Sequence, residues 1–474
     1  METTERRGFG HGGALAAALT DHPQRRELAA EVHARPHPRL ETPVRVSHLA
    51  LYGEGEVREA ERVCLEALCR RFDVEPPPPH GNHFTAEFGR FRLRWERHTE
   101  FSTYTFFRFD PFDDPFTESA VGLVPAAWLD SVPGKVMAAV HVAVERRWLG
   151  AESRSPHGGC ETHFSDGLVV GSGVSGGAAQ VWTDFQIRDD GFSRVLIHNL
   201  GLTTGQTGRL VQRLLEIETY RMMALLALPL ARETSRSLDV IEQRVAGIVA
   251  ELAEVGRRDL SGERDRSDED RRRLGNLSLL AAETERLTNT GGYRFDAAAA
   301  YHAIVRRRIE ALREVRLPGV QTIAEFMERR LSPAMQTCEA VARRQVELSR
   351  RVARAGDLLR TRVNIMLEEN NRDLLRSMNR RAALQLRLQE AVEGLSVVAI
   401  SYYALALLGY AIQGLESLGL LPVEMETAQA VAMPVVVVAA VLSLRRLRHG
   451  CRETEDGSGN SPPSDRTESS HADS

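Results

Sequence analysis

Residues 394–412 read GLSVVAISYYALALLGYAI, and residues 430–444 read AVAMPVVVVAAVLSL. Neither run carries a charged side chain. As a helix the first, at about 19 residues, is long enough to cross a hydrocarbon core of about 30 Å. The second is marginal by itself, and gains length from Thr427 to Gln429 ahead of it or from the aliphatic stem of Arg445 behind it. Together they predict a two-helix transmembrane hairpin at 394–444, with almost four hundred residues of other structure before it.

Charge around the hairpin predicts its orientation. Arg372, Arg376, Arg380, Arg381 and Arg387 precede the first run, and Arg445, Arg446, Arg448 and Arg452 follow the second. The connector holds Glu416, Glu424 and Glu426 with no Lys or Arg. The excess of basic residues on the outer flanks puts both termini in the cytoplasm and the acidic loop outside. Buried helices of a soluble protein would fit the apolar runs but not the placement of the arginines.

The rest of the composition is that of a soluble globular protein. A net charge of -4 exerts no overall pull on nucleic acid. Five cysteines (Cys64, Cys69, Cys160, Cys338 and Cys451) make no C-x-x-C pair, which fits reduced thiols better than a disulfide frame. The apolar stretch Ala14–Leu19 is too short for a signal peptide. The tail from Glu453 is rich in Ser, Asp, Glu and Pro, the composition of a disordered segment.

The pattern upstream predicts an α+β protein. A flexible N-terminus (1–21) precedes a cytosolic α/β domain (22–202). A helical region and stalk (203–393), the hairpin and a basic flank with a disordered tail (445–474) follow. Arg45–Tyr52 reads as a strand and Val57–Phe72 as a helix cut off by Pro76–Pro79. Phe91, Leu93 and Trp95 alternate with Arg90, Arg92, Arg94, Glu96 and His98, and Phe101–Phe109 continues the pattern. This predicts a hairpin with one face buried and the charged face in solvent. Trp128–Trp148 reads as a helix interrupted at Pro133-Gly134. Leu168–Val170, Ala179–Ile187 and Ser193–His198 read as strands. Thr203 or Thr204 caps a helix running to Leu228, where Pro229 ends it. Leu238–Val255, Arg271–Leu287 and Phe295–Val315 read as further helices. Gly262–Arg272 reads as a solvated turn, and Ala334–Glu393 as a near-continuous stalk. Along the stalk Val363, Leu367, Leu374 and Met378 form an apolar stripe interrupted by Asn370 and Asn371, a pattern that can join subunits and fix their number.

Motifs for catalysis fall away on inspection. Gly171, Gly173 and Gly176 match a dinucleotide fingerprint, but a strand follows them where a helix is needed. Gly201–Arg209 lacks the lysine of a phosphate loop and reads as a helix cap. The histidines have no ligand spacing. No nucleophile sits in a G-x-S-x-G turn. The expectation is a non-enzyme without cofactor or metal. Its partners would be the lipid bilayer, further copies of itself and, in one version, a cation. Gly394, Ser401, Tyr402, Gly409 and Tyr410 give the first span a small or polar face that can pack helices or line a pore, with Glu416, Glu424 and Glu426 at its mouth. Glu31, His33 and Arg35, in EVHARP, form a stiff polar loop before the first strand.

That loop also carries a resemblance. EVHARPHPRL (31–40), HLAL (48–51), RWERHTEFSTYTFF (94–107), LLEIETYRMMALLALPLAR (214–232) and EGLSVVAISYYALALLGY (393–410) resemble a bacterial family of membrane-anchored proteins of unknown function. The likeness runs from about His22 to Arg448, and it implies an anchor in the inner membrane but no activity. The order of parts also resembles the CorA-type magnesium channels, from about Arg45 to Arg448. The Gly-Met-Asn triplet of those channels is replaced here by Gly409-Tyr410-Ala411-Ile412-Gln413-Gly414. Magnesium selection is therefore not implied.

Overall fold

The structure is a computed structural model. It describes residues 37–146, 160–255 and 263–417, apart from 54, 56, 80 and 165–168, with parts of 22–29 and 430–442. The Glu31, His33 and Arg35 motif, Glu424 and Glu426 in the connector, and the tail lie outside the described residues. The chain divides into two compact units, 1–359 and 360–474.

The first unit is a mixed α+β structure around a nine-stranded sheet. In chain order the strands are β1 (Val44–Tyr52), β2 (His83–Glu87), β3 (Arg92–Arg97), β4 (Phe101–Arg108), β5 (Lys135–Arg146), β6 (Val170–Val174), β7 (Ala179–Thr183), β8 (Ser193–Asn199) and β9 (Val315–Arg316). Their spatial order is β2-β3-β4-β1-β5-β8-β7-β6-β9. All neighbours are antiparallel except β5 and β8, which pair in parallel from Val140↔Ser193 to Arg146↔Asn199. The helices are α1 (Val57–Arg71), the short α2 (Ala126–Leu129), α3 (Thr204–Leu225), α4 (Ala227–Val255), α5 (Glu263–Leu312), α6 (Ile323–Arg330) and α7 (Ser332–Ser417).

Alternation along the strands sends side chains to two layers. Leu51, Leu93, Trp95, Tyr104 and Phe106 turn to one face, where they meet Leu65, Leu68 and Cys69 of α1 and Trp128 of α2. Val44, Val46, Phe107, Val140, Val142, Val195 and Ile197 turn to the other, against Leu210, Val211 and Leu214 of α3. The same core continues through α4 and α5 to Met335, Val341, Leu348, Val352 and Leu359 of α7. Sheet and helices therefore share one interior. Cys64, Cys69 and Cys338 are buried free thiols.

Several local expectations change. The stretch read as a helix after Pro133 is β5, a twelve-residue strand near the centre of the sheet. Its residues 140–144, VHVAV, are buried on both faces, so they lack the alternation that marks a half-buried strand. Pro229 does not end a helix. The break falls at Leu226, and Pro229 sits in the first turn of α4, where an amide donor is not required. Glu263–Arg272 is helical, and the two helices expected around Gly291-Gly292 are the single helix α5. The Gly171–Gly176 segment is hairpin β6–β7 as expected. A Cβ on Gly171 would lie 2.5 Å from the Trp182 ring.

The second unit contains the rest of α7. Its residues 360–392 are almost all exposed. The helical stretch Ile323–Ala411 contains an 18-residue window of mean hydropathy 1.7, only 6% of it buried. Among the described residues this is the one helix long and apolar enough to cross a membrane. In the second apolar run, 430–431, 433–439 and 441–442 are helical, and the connector 418–429 lies outside the described residues.

Candidate functional site

The charged face of β3 does not point into solvent. Arg94 and Glu96 turn toward α3, and Arg94 is 7% exposed. Thr103 and Thr105 of β4 and His48 of β1 stand beside them on the same face, all buried. Opposite them α3 presents Gln212, Glu216, Thr219 and Tyr220, and α5 contributes Arg308. The two layers fail to close over these polar groups, and a cavity of about 320 Å³ remains. Phe101, Phe107, Val211 and Leu215 supply its apolar wall.

The mouth is set by the segment entering β1. Pro38 lies against Gly208 of α3 so closely that a Cβ at Gly208 would fall 1.6 Å from the Pro38 carbonyl oxygen. Leu40 N–H donates to Thr204 O at 3.1 Å in the same contact. This docking brings His37 to the cavity, with Nδ1 2.9 Å from Gln212 Oε1. The first turn of α3 is held by a capping box between Thr203 and Gln206, which is the cap read from the sequence.

Hydrogen bonds order the lining. His48 Nδ1 and Thr105 Oγ1 are 2.8 Å apart, and His48 Nε2 and Thr219 Oγ1 are 3.1 Å apart. A neutral imidazole has one donor and one acceptor, and each hydroxyl can fill either role. Burial pushes the His48 pKa from 6.5 down to about 4, with Arg94 and His98 adding to the fall and Glu96 opposing it. His48 is therefore neutral at physiological pH and ties the sheet to the helix. Gln212 Nε2 donates to Glu216 Oε1 at 3.0 Å. Glu216 also pairs with Arg308, and Arg94 Nη2 pairs with Glu96 Oε1 at 2.9 Å. Each wall thus carries one guanidinium and one carboxylate. His98 stacks on Phe101 with ring centroids 4.4 Å apart.

A second buried polar cluster lies nearby. Glu100, 1% exposed, accepts hydrogen bonds from Arg294 Nη2 at 2.8 Å and from Tyr301 Oη at 2.6 Å. Burial and the Glu100 carboxylate push the Tyr301 pKa upward. The cluster fastens α5 to the start of β4 through one carboxylate oxygen of Glu100. Among the described residues, no group of three or more His, Cys, Asp or Glu is placed to hold a metal ion.

The residues singled out in the first span lie on α7. Ser401 is buried, Gly409 half-buried and Gly394 exposed. Tyr402, Tyr403 and Tyr410 are 69%, 68% and 74% exposed. Glu416 falls in the last turn of the helix. These residues share one helix and belong to the second unit, whereas the residues lining the cavity belong to the first. The cavity itself escaped sequence reading. Its signal is Arg94-x-Glu96-x-His98 beside Thr103-x-Thr105, two adjacent strands that are polar on the same face.

Compared with protein families, residues 20–451 match the family described as "Protein of unknown function (DUF3422)". The chain belongs to that family. The match takes in the sheet, all the described helices and the apolar end of α7. Family membership fixes no activity. A comparison with curated proteins finds no match.

Proposed function

We propose that this protein is a membrane-anchored binding module rather than an enzyme. The apolar end of α7 would be the first arm of a two-helix hairpin in the bacterial inner membrane, with both termini cytoplasmic. The sheet unit would hold a small ligand in the cavity under α3. The observation that carries the anchor is the bare apolar window of α7, where Leu395, Val398 and Leu407 are 73%, 66% and 70% exposed. Apolar surface costs about 25 cal/mol per Å² in water, and a bilayer removes that cost. The cavity supports binding because a wall of ordered, paired polar groups beside aromatic rings suits a small molecule. The stripe Leu367, Leu374 and Met378, exposed by 41%, 60% and 60%, supports self-association along residues 360–393. Glu31, His33 and Arg35 would fix the entry segment ahead of His37.

The test is extraction of membranes from cells making the full chain. Retention in the pellet after alkaline washing is expected, and release with the peripheral proteins would refute the anchor. A reporter fused at Ser474 should be active in the cytoplasm.

A second reading is a homo-oligomeric cation channel of CorA-like order. Tyr402 with Gly409 and Tyr403 with Tyr410 recur seven residues apart, which would put small or polar groups along one face in a ring of helices. Glu416, Glu424 and Glu426 would gather cations at the mouth. Saturable cation flux through purified protein in liposomes would favour it, and none would leave the anchored module.

A further inference from the structure

The proposed binding site has a charge layout that narrows its ligand. On the sheet wall Arg94 and Glu96 pair at 2.9 Å, with side chains only 9% and 15% exposed. On the helix wall Arg308 and Glu216 pair, and Gln212 and His37 extend that network toward the mouth. His48, buried between the hydroxyls of Thr105 and Thr219, is neutral. The two guanidiniums and two carboxylates of the lining therefore balance across the cavity.

A ligand with a net charge enters such a space at a cost. It leaves one wall charge uncompensated, which costs most on the sheet wall, where both side chains are nearly buried and an unpaired ion is penalised by several kcal/mol. An uncharged apolar ligand also fits badly, because it strips water from four ionised groups and returns nothing. A ligand with one cationic and one anionic group avoids both penalties. Its carboxylate can join the guanidinium of one wall while its ammonium joins the carboxylate of the other, and the total charge stays unchanged. Phe101, Phe107, Val211 and Leu215 leave an apolar surface for the remainder of the molecule. A volume of about 320 Å³ lies at the small end of ligand sites, which run from about 300 to 1,000 Å³.

We propose that the cavity takes a free amino acid, or an equally small zwitterion with an apolar side group. This rests on the reading of the cavity as a binding site. The experiment separates the two. Full-length protein in detergent is titrated calorimetrically with the proteinogenic L-amino acids, and each binder is compared with its decarboxylated amine and its deaminated acid. Glucose, citrate and AMP are titrated alongside. The expected result is that at least one apolar amino acid binds with Kd below about 1 mM, while both single-charge analogues bind at least about tenfold more weakly. Arg94→Gln and Glu216→Gln should each weaken binding by a similar factor. Arg308→Gln, at the half-exposed rim, is the variant least exposed to a folding defect. Binding of glucose, citrate or AMP that Arg308→Gln weakens, with no amino acid bound, would keep the site and overturn the zwitterion. Binding of nothing in the panel would overturn both. Amino-acid binding that neither the single-charge analogues nor the variants distinguish would overturn the two-wall recognition.

Discussion

Lowering the pH from 7 to 5 should destabilise the sheet unit through two buried histidines. His48 is held between Thr105 and Thr219. His141 shares a 2.9 Å hydrogen bond with Ser47 Oγ and stacks on Phe192 at 3.9 Å. Burial lowers both from 6.5 to about 4; Asp190 pulls His141 back up, and Arg194 pushes it further down. In the unfolded chain both titrate near 6.5, so between pH 6.5 and 4 the unfolded state binds more protons and stability falls as pH falls. With those values each histidine removes about 2 kcal/mol between pH 7 and 5, and the pair about 4 kcal/mol. Asp110, held at about 2 by Arg108 and Arg45, loses its contribution only below about pH 4, outside this interval. Glu61 is raised by burial and works in the opposite sense, so single variants isolate each histidine better than the wild-type slope does. Trp95, Trp128 and Trp182 are buried in the first unit, so their fluorescence follows its unfolding by urea in the detergent-solubilised full chain. His48→Gln keeps a neutral donor and acceptor and should cut the loss between pH 7 and 5 by about 2 kcal/mol. A His48→Gln variant with the full wild-type pH dependence would refute the argument for His48, and a His141→Gln variant with it would refute the argument for His141.

Three further outcomes follow from particular contacts. Gly208→Ala should displace the segment through Pro38, and limited proteolysis near His37 should become faster while the capping box keeps α3 helical. Glu100→Gln should cost about 3 kcal/mol by leaving Arg294 buried without its carboxylate, seen as a lower urea midpoint. Val398→Arg puts a charge in the apolar window at a cost of about 3 kcal/mol to insertion, and should lower the fraction retained in alkaline-washed membranes.

Much of the first unit was legible where one face of an element is polar. β1 and the alternation from Arg90 to Phe107 stood out, as did the cap at Thr203 and, in the second unit, the apolar run from Gly394. β5 was illegible because a strand covered on both faces has the same apolar density as a buried helix, and periodicity cannot separate them. The cavity was illegible for a different reason. Arg94, Glu96, Thr103 and Thr105 look like any solvent-facing row, and the helix that covers them begins about a hundred residues later. Nothing near β3 in the chain announces that cover. Gly208 gave no local signal either, because its constraint comes from the Pro38 carbonyl.

The parallel pairing of β5 with β8 bears on how the chain is made. A ribosome delivers β1 to β5 first, and those strands can already form an antiparallel set with α1. The outer edge of β5 then stays open through the synthesis of β6 and β7, because its partner is Ser193–Asn199. During that interval a row of unpaired amides and carbonyls, flanked by valines, is free to pair with another nascent chain. A chain truncated between β5 and β8 would keep this hazard for good. Aggregation should be worst for fragments ending there, and should ease once β8 is included.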